Sequence, residues 1–345
     1  MNPMKNKAAF TLFIAVVLGV MAAGATGHCR TIVKVASVMP EGSPWTQILR
    51  EMAAEVDQKT AGQVSMKIYA GGVSGDEADV IRKMRVNRIH AAGFTGVGLG
   101  MIVPHIRILE SPLLFQNLQE VDFVKEQLME DFAADFAREG YVFLGYVDGG
   151  FVYFFSRTSL AEPDDLKKIK MWLWTNDRIA ETFLDVFGIK AYPLHVADVN
   201  TGLETGMIDA FYSVPVAAVS FQWYWRIQYM LDYPIVNSTG GFLVNKRLFD
   251  GLTEKERGVL RETVKKHCDR LVKITRESNL EAQRVLAGAG IQLVKPSPAQ
   301  MAHFRRKATE TYERNIPSLY SRPLLEKIQG LVTSFRQKEA HGATE

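Results

Sequence analysis

The chain has 345 residues, 47% of them apolar and 23% charged, with a formal charge of +3. That length is too great for one compact core and suits two domains of ordinary size, and the composition is that of a globular protein rather than a disordered or fibrous one. The near-neutral charge argues against nucleic acid as a partner, which would call for a clustered basic face.

Residues 1–27 read as a secretory signal, with an uncleaved N-terminal anchor as the alternative: Lys5 and Lys7 precede the apolar run Ala8–Ala23, and Ala23-Gly24-Ala25 or Ala25-Thr26-Gly27 offers small residues for cleavage. The apolar run is short for a membrane span, which needs roughly 20 apolar residues. Loss of this leader removes two positive charges and leaves a mature chain at +1. The cysteines are Cys29 and Cys268, the first near the mature N-terminus and the second within a predicted helix, so a bridge between them is not expected. No Cys/His spacing resembles a zinc site, and no cofactor or metal is called for.

In chain order, Thr31–Ser37 is a β-branched strand, and Ser43 with Pro44 opens a helix through about Lys59. Gln63–Tyr69 alternates as a strand, Asp76–Asn87 is a helix and Ile89–Phe94 a third strand. This β-α-β-α-β order predicts a mostly parallel sheet covered by helices. A helix over about Gln119–Arg138 and a strand at Tyr141–Gly145 follow. After Gly149-Gly150, the aromatic strand Phe151–Ser156 leads into a second α/β unit. Its strands are Lys170–Trp174, Lys190–Leu194 and Ile208–Tyr212, and its helices Asp177–Phe187, Val196–Thr205 and Pro215–Trp225. Thr253 and Glu256 form a capping box for one very long helix, Thr253–Gly288, which should brace both units.

The predicted fold class is α/β: two lobes with a long helix shared by both. Lobe I takes residues 28–150 and about 240–270, lobe II 151–239 and about 271–337, and 338–345 form a frayed tail. Ligands of such folds bind between the lobes, where strand ends and helix N-termini meet.

PEGSPW (40–45), GGVSGDEADVIRKMR (71–85), ILESPLLF (108–115), DDLKKIKM (164–171), LETGMIDAFYSVP (203–215) and GGFLVNKRLFDGLTEKER (240–257) occur in this order across nearly the whole mature chain. Together they resemble the substrate-binding subunits of tripartite ATP-independent periplasmic (TRAP) transporters. The resemblance implies a two-lobed periplasmic binding-protein fold with a long shared helix, which closes on a small organic molecule and delivers it to the membrane permease subunits for sodium-driven uptake; a monomer is expected. It also implies an arginine in the strand after DDLKK, which grips a ligand carboxylate with its planar fork. Trp172 stands there instead, and Val152 stands at a second position that is usually basic. The ligand is therefore expected to be more apolar or aromatic than a simple dicarboxylate.

Trp172 and Trp174 leave one face of their strand, either into the cleft or against a helix. Trp45 opens the first helix and faces the same crevice by topology, either packing the core or touching the ligand; Phe94-Thr95-Gly96 ends the third strand, where glycine lets the backbone approach a ligand and Thr95 can hydrogen-bond it. Tyr153 points to cleft or core, and Gln222 to ligand or solvent. The resemblance places the cleft at Tyr212 and Ser213. Asp76, Glu77 and Asp79 read as helix-start acids, Asp177 as an N-cap, and His195 as a loop residue. No nucleophile–base motif appears, so the chain is read as a binding protein and not an enzyme. A periplasmic sensing or scaffold protein, and a secreted enzyme in a similar frame, stay open as alternatives.

Overall fold

The computed structural model describes residues 30–342; the leader and Cys29 lie outside them. Cys268 is buried with a free thiol. One sheet of ten strands runs through the molecule in the order β2 (Val64–Tyr69), β1 (Thr31–Ala36), β3 (Ala91–Thr95), β9 (Val236–Asn245), β4 (Tyr141–Ser156), β7 (Ala210–Ser213), β5 (Lys170–Trp174) and β6 (Lys190–Leu194), with β8 (Tyr229–Leu231) on β4 and β10 (Gln292–Val294) on β8. The first lobe is built on β1 (Thr31–Ala36), β2 (Val64–Tyr69) and β3 (Ala91–Thr95), parallel as the β-α-β order requires. The second is built on β5 (Lys170–Trp174), β6 (Lys190–Leu194) and β7 (Ala210–Ser213), also parallel.

Two long antiparallel strands join them, β4 (Tyr141–Ser156) and β9 (Val236–Asn245). The two strands predicted on either side of Gly149-Gly150 are thus a single strand of 16 residues. The glycines make a bulge rather than a break: pairing skips between Asp148 and Gly150, and Gly150 adopts φ +82°, which its missing Cβ permits.

Local end signals set the helices. Ser43 accepts from Thr46 N at 3.3 Å to open α1 (Pro44–Lys59), and Asp76 and Asp79 cap α2 (Glu77–Arg85) reciprocally. A short helix, α3 (Gly96–Ile102), follows β3, and α4 (Leu118–Arg138) and α5 (Arg178–Phe187) cover the lobes. After α6 (Val199–Thr205), the helix α7 (Pro215–Ser220) is shorter than predicted. It ends because Gln222 turns to φ +60° and starts a tight 3-10 turn, Trp223–Arg226. This turn buries Trp223 and leaves Trp225 65% exposed.

After α8 (Lys246–Asp250) comes α9 (Glu254–Gly288), 35 residues and about 50 Å long at 1.5 Å per residue. Its first half pairs with α1 through Lys266 and His267 to Glu55. Its second half accepts Val216 N, on α7, at the Asn279 side chain (3.0 Å). The long helix therefore serves both lobes. The chain closes with α10 (Pro298–Asn315) and α11 (Arg322–Gly342).

Residues 322–337, expected in lobe II, pack instead on α4 of lobe I. Leu325, Ile328 and Val332 share a buried cluster with Val124, Leu128 and Phe132, and Arg336 holds Glu120 at 2.8 Å. The helix runs to Gly342; residues 343–345 of the expected frayed tail lie outside the described residues. No helix among the described residues is long and apolar enough to cross a membrane.

Candidate ligand cleft

A cavity of about 140 Å³ lies between the lobes. Measured against the space one water occupies, it admits a molecule of on the order of ten non-hydrogen atoms. Of the residues singled out in the sequence, Trp45, Thr95, Trp172, Trp174, Tyr212 and Ser213 line it. Tyr153 does not. Alternation along β4 sends its neighbours Val152 and Phe154 into the cavity and Tyr153 to the other face, toward Gln283. Gln222 is solvent-exposed, carried away from the cleft by the turn that ends α7.

The aromatic wall is a stack. Trp172 lies parallel to Tyr212 (centroids 5.3 Å apart) and to Trp174 (6.0 Å), with the edge of Trp223 against it at 5.1 Å. Trp172 is only 2% exposed, so it is both core and cavity wall. The polar atoms of this wall bond within the protein. Trp172 Nε1 donates to Leu194 O (3.0 Å) and Trp45 Nε1 to Thr275 Oγ1 (2.6 Å). Trp174 Nε1 donates to Asp76 Oδ2 (3.3 Å). Tyr212 donates to Asp177 Oδ2 (2.9 Å) and accepts from Trp174 N (3.1 Å).

Asp76 has a second partner across the cleft: His195 Nδ1 lies 2.8 Å from the same oxygen. The N-cap of a lobe I helix therefore also clasps two side chains of lobe II. Lys170 turns away to the Gly206 carbonyl, and Arg178 is exposed.

The charged floor was not read from the sequence. Arg107, on the 3-10 turn Pro104–Glu110, is the one basic side chain among the described residues lining the cavity, and it is 5% exposed. It donates to Asp177 Oδ1 at 2.5 Å, an ion pair that crosses from lobe I to lobe II. Its NH1 lies 2.7 Å from Glu110 Oε2 but out of line for a hydrogen bond, and its Nε has no partner among the described residues.

Burial pushes the Glu110 carboxyl up to about 7 against the pull of Arg107. Burial also carries Glu77 to about 7. Glu77 was read as a capping acid, but its carboxylate turns inward to Thr95 N (2.6 Å), Thr95 Oγ1 (2.8 Å) and Gly98 N (2.8 Å). Burial and the neighbouring Asp177 raise the Tyr212 phenol well above its ordinary range, so it stays a donor.

One sequence signal for this floor existed. In Thr95-Gly-Val-Gly-Leu-Gly, a Cβ at Gly96 would fall 2.1 Å from the Glu110 carboxylate and one at Gly100 2.5 Å from the Arg107 side chain. The alternate glycines are the seats of buried ions.

The model of a family described as bacterial extracellular solute-binding protein, family 7, matches residues 35–317. A solute-binding protein of Chromohalobacter salexigens is 27% identical over 75% of this chain and 74% of its own. The 2,3-diketo-L-gulonate-binding periplasmic protein of Escherichia coli is 23% identical over 69% of this chain and 73% of its own. A TRAP periplasmic solute-binding protein of Xanthobacter autotrophicus, solved with bound β-D-galacturonate, superposes with a TM-score of 0.81 at 21% identity. It covers 88% of this chain and 99% of that one.

Proposed function

The chain belongs to family 7 of the bacterial extracellular solute-binding proteins, the binding subunits of TRAP transporters, and on that premise we propose that it captures a small organic acid of sugar-acid size in the periplasm and hands it to membrane permease subunits. The observation that carries the ligand class is Arg107: a buried guanidinium in the cavity wall with an unpartnered Nε. A carboxylate is the partner such a fork fits. The apolar or aromatic ligand expected from Trp172 has no support among the relatives, whose ligands include 2,3-diketo-L-gulonate and β-D-galacturonate. The indoles serve an acid of this kind equally well. Flat aromatic faces pack against the C–H side of a sugar skeleton, and the ring edges leave its hydroxyls to polar groups. Trp45, Thr95, Trp172, Trp174, Tyr212 and Ser213 make up the binding wall in this reading, and closure of the lobes completes it.

The test is titration of the mature protein with D-galacturonate, D-glucuronate, L-gulonate and 2,3-diketo-L-gulonate, followed by tryptophan fluorescence. At least one acid is expected to bind, and Arg107→Gln to weaken it about 10- to 100-fold, the size of a lost charge-assisted pair. Equal binding of the matching neutral sugars, or an unaffected Arg107→Gln variant, sinks the acid assignment.

A further inference from the structure

The single guanidinium of the cleft already has two carboxylates of the protein's own beside it. They are not held alike. Asp177 accepts from Arg107, from the Tyr212 hydroxyl (2.9 Å) and from Ala180 N (3.1 Å), so its charge is satisfied on both oxygens. Glu110 accepts one hydrogen bond, from Thr239 N on β9 at Oε1 (2.7 Å), and its Oε2 meets Arg107 NH1 off line. Arg107 Nε and NH1 lack a hydrogen-bond partner among the described residues, and NH1 is the donor that faces Glu110.

An incoming ligand carboxylate that takes NH1 must lie beside Glu110 Oε2. Two carboxylates at one buried edge cannot both stay ionised at neutral pH. We propose that the cleft takes up one proton from solvent with each acid it binds, Glu110 yielding Arg107 to the ligand and keeping the proton on Oε2. This rests on the acid-binding reading above.

The other charged groups around Glu110 favour it as the proton's seat. Asp177, on α5, adds negative charge close by; Arg107 will then be shared with the ligand. Lys125, on α4, is the remaining cation that acts on it, and Lys125 is itself buried beside Asp148 at 3.7 Å. Glu77 adds a further buried carboxylate acting on Arg107. Burial has already moved the Glu110 carboxyl to about 7, so at pH 8 it is mostly ionised before binding. Linkage then makes affinity flat below about pH 7 and tenfold weaker per pH unit above it, with the ligand acid ionised throughout.

Isothermal titration of the mature protein at pH 8, with the same four acids in phosphate and in Tris, counts the protons, because the two buffers differ in ionisation enthalpy. The expected count is close to one proton taken up per ligand, and affinity should fall tenfold from pH 7.5 to 8.5. In Glu110→Gln, the count should drop to near zero and affinity should lose its pH dependence. The wild-type count decides the matter even if that variant fails to fold. Binding with no proton uptake, or uptake unchanged in folded Glu110→Gln, overturns the inference and leaves the acid reading standing. Binding of none of the acids overturns both.

Discussion

Trp172 holds together the second lobe as much as it shapes a cleft. Its ring is wedged among Trp174, Tyr212 and Trp223, and its N–H is bound to the Leu194 carbonyl. Replacing it with alanine leaves a large hole and takes one of two donors from the Leu194 carbonyl, which Thr175 N also reaches, at a cost of about 3–5 kcal/mol. Urea unfolding should show a loss of that size; a variant as stable as the parent would mean that the ring is mere cleft lining. The sequence could place both indoles on one face, because a strand's period is two residues. It could not say that their N–H groups were committed, since the partners, Leu194 and Asp76, are distant in the chain. Arg107 was illegible for a similar reason. Nothing near HIRILE marks it as special; its meaning comes from Asp177, on the other lobe. Only the glycines at 96 and 100, which leave room for the Glu110 and Arg107 side chains, point to it.

At the level of elements, the helices were the most legible part of the fold. Their caps are local: Ser43 with Pro44, Asp76 with Asp79, and Thr253 with Glu256 all close within one turn. Errors arose where a nonlocal contact outweighed a local signal. Gly149-Gly150 reads as a break, but Asn279 of α9 donates to Gly149 O (2.7 Å) and Arg276 to Asp148 (2.8 Å), and these hold the strand through its bulge. α11 was assigned to the wrong lobe because nothing local announces that its apolar face fits α4.

One loop residue gained a role at this scale. His195, on the segment after β6 in the second lobe, reaches across to the N-cap of α2 in the first. His195→Ala keeps that cap intact. We expect it to favour an open form, raising the ligand-free radius of gyration in small-angle X-ray scattering. Affinity should weaken about two- to fivefold, the scale of one partly exposed polar pair. Identical scattering and affinity would rule out a closing contact.

For the molecule as a whole, the buried acids shape stability against pH. The Glu77 carboxyl goes from its ordinary 4.5 in the unfolded chain to about 7 when folded. The folded state thus holds the proton more tightly. The associated stability is in full force below about 4.5 and is lost as pH rises through 7. His90 and His303, both held below the ordinary imidazole range, act in the opposite sense, so the comparison must be with a variant. Between pH 4.5 and 8, wild type should lose on the order of 1–3 kcal/mol relative to Glu77→Gln. Parallel melting-temperature curves for the two would show that Glu77 titrates normally. The two-lobed plan itself was legible, because strand and helix order repeats on either side of residue 150. Less obvious is what the crossings at β4, β9 and α9 and the return of α11 imply together. Each lobe is assembled from separated pieces of chain, so no single cut in the gene yields either half intact. Swapping a ligand wall between relatives therefore cannot be done as a domain exchange: both halves must be inherited, expressed and redesigned as one folding unit.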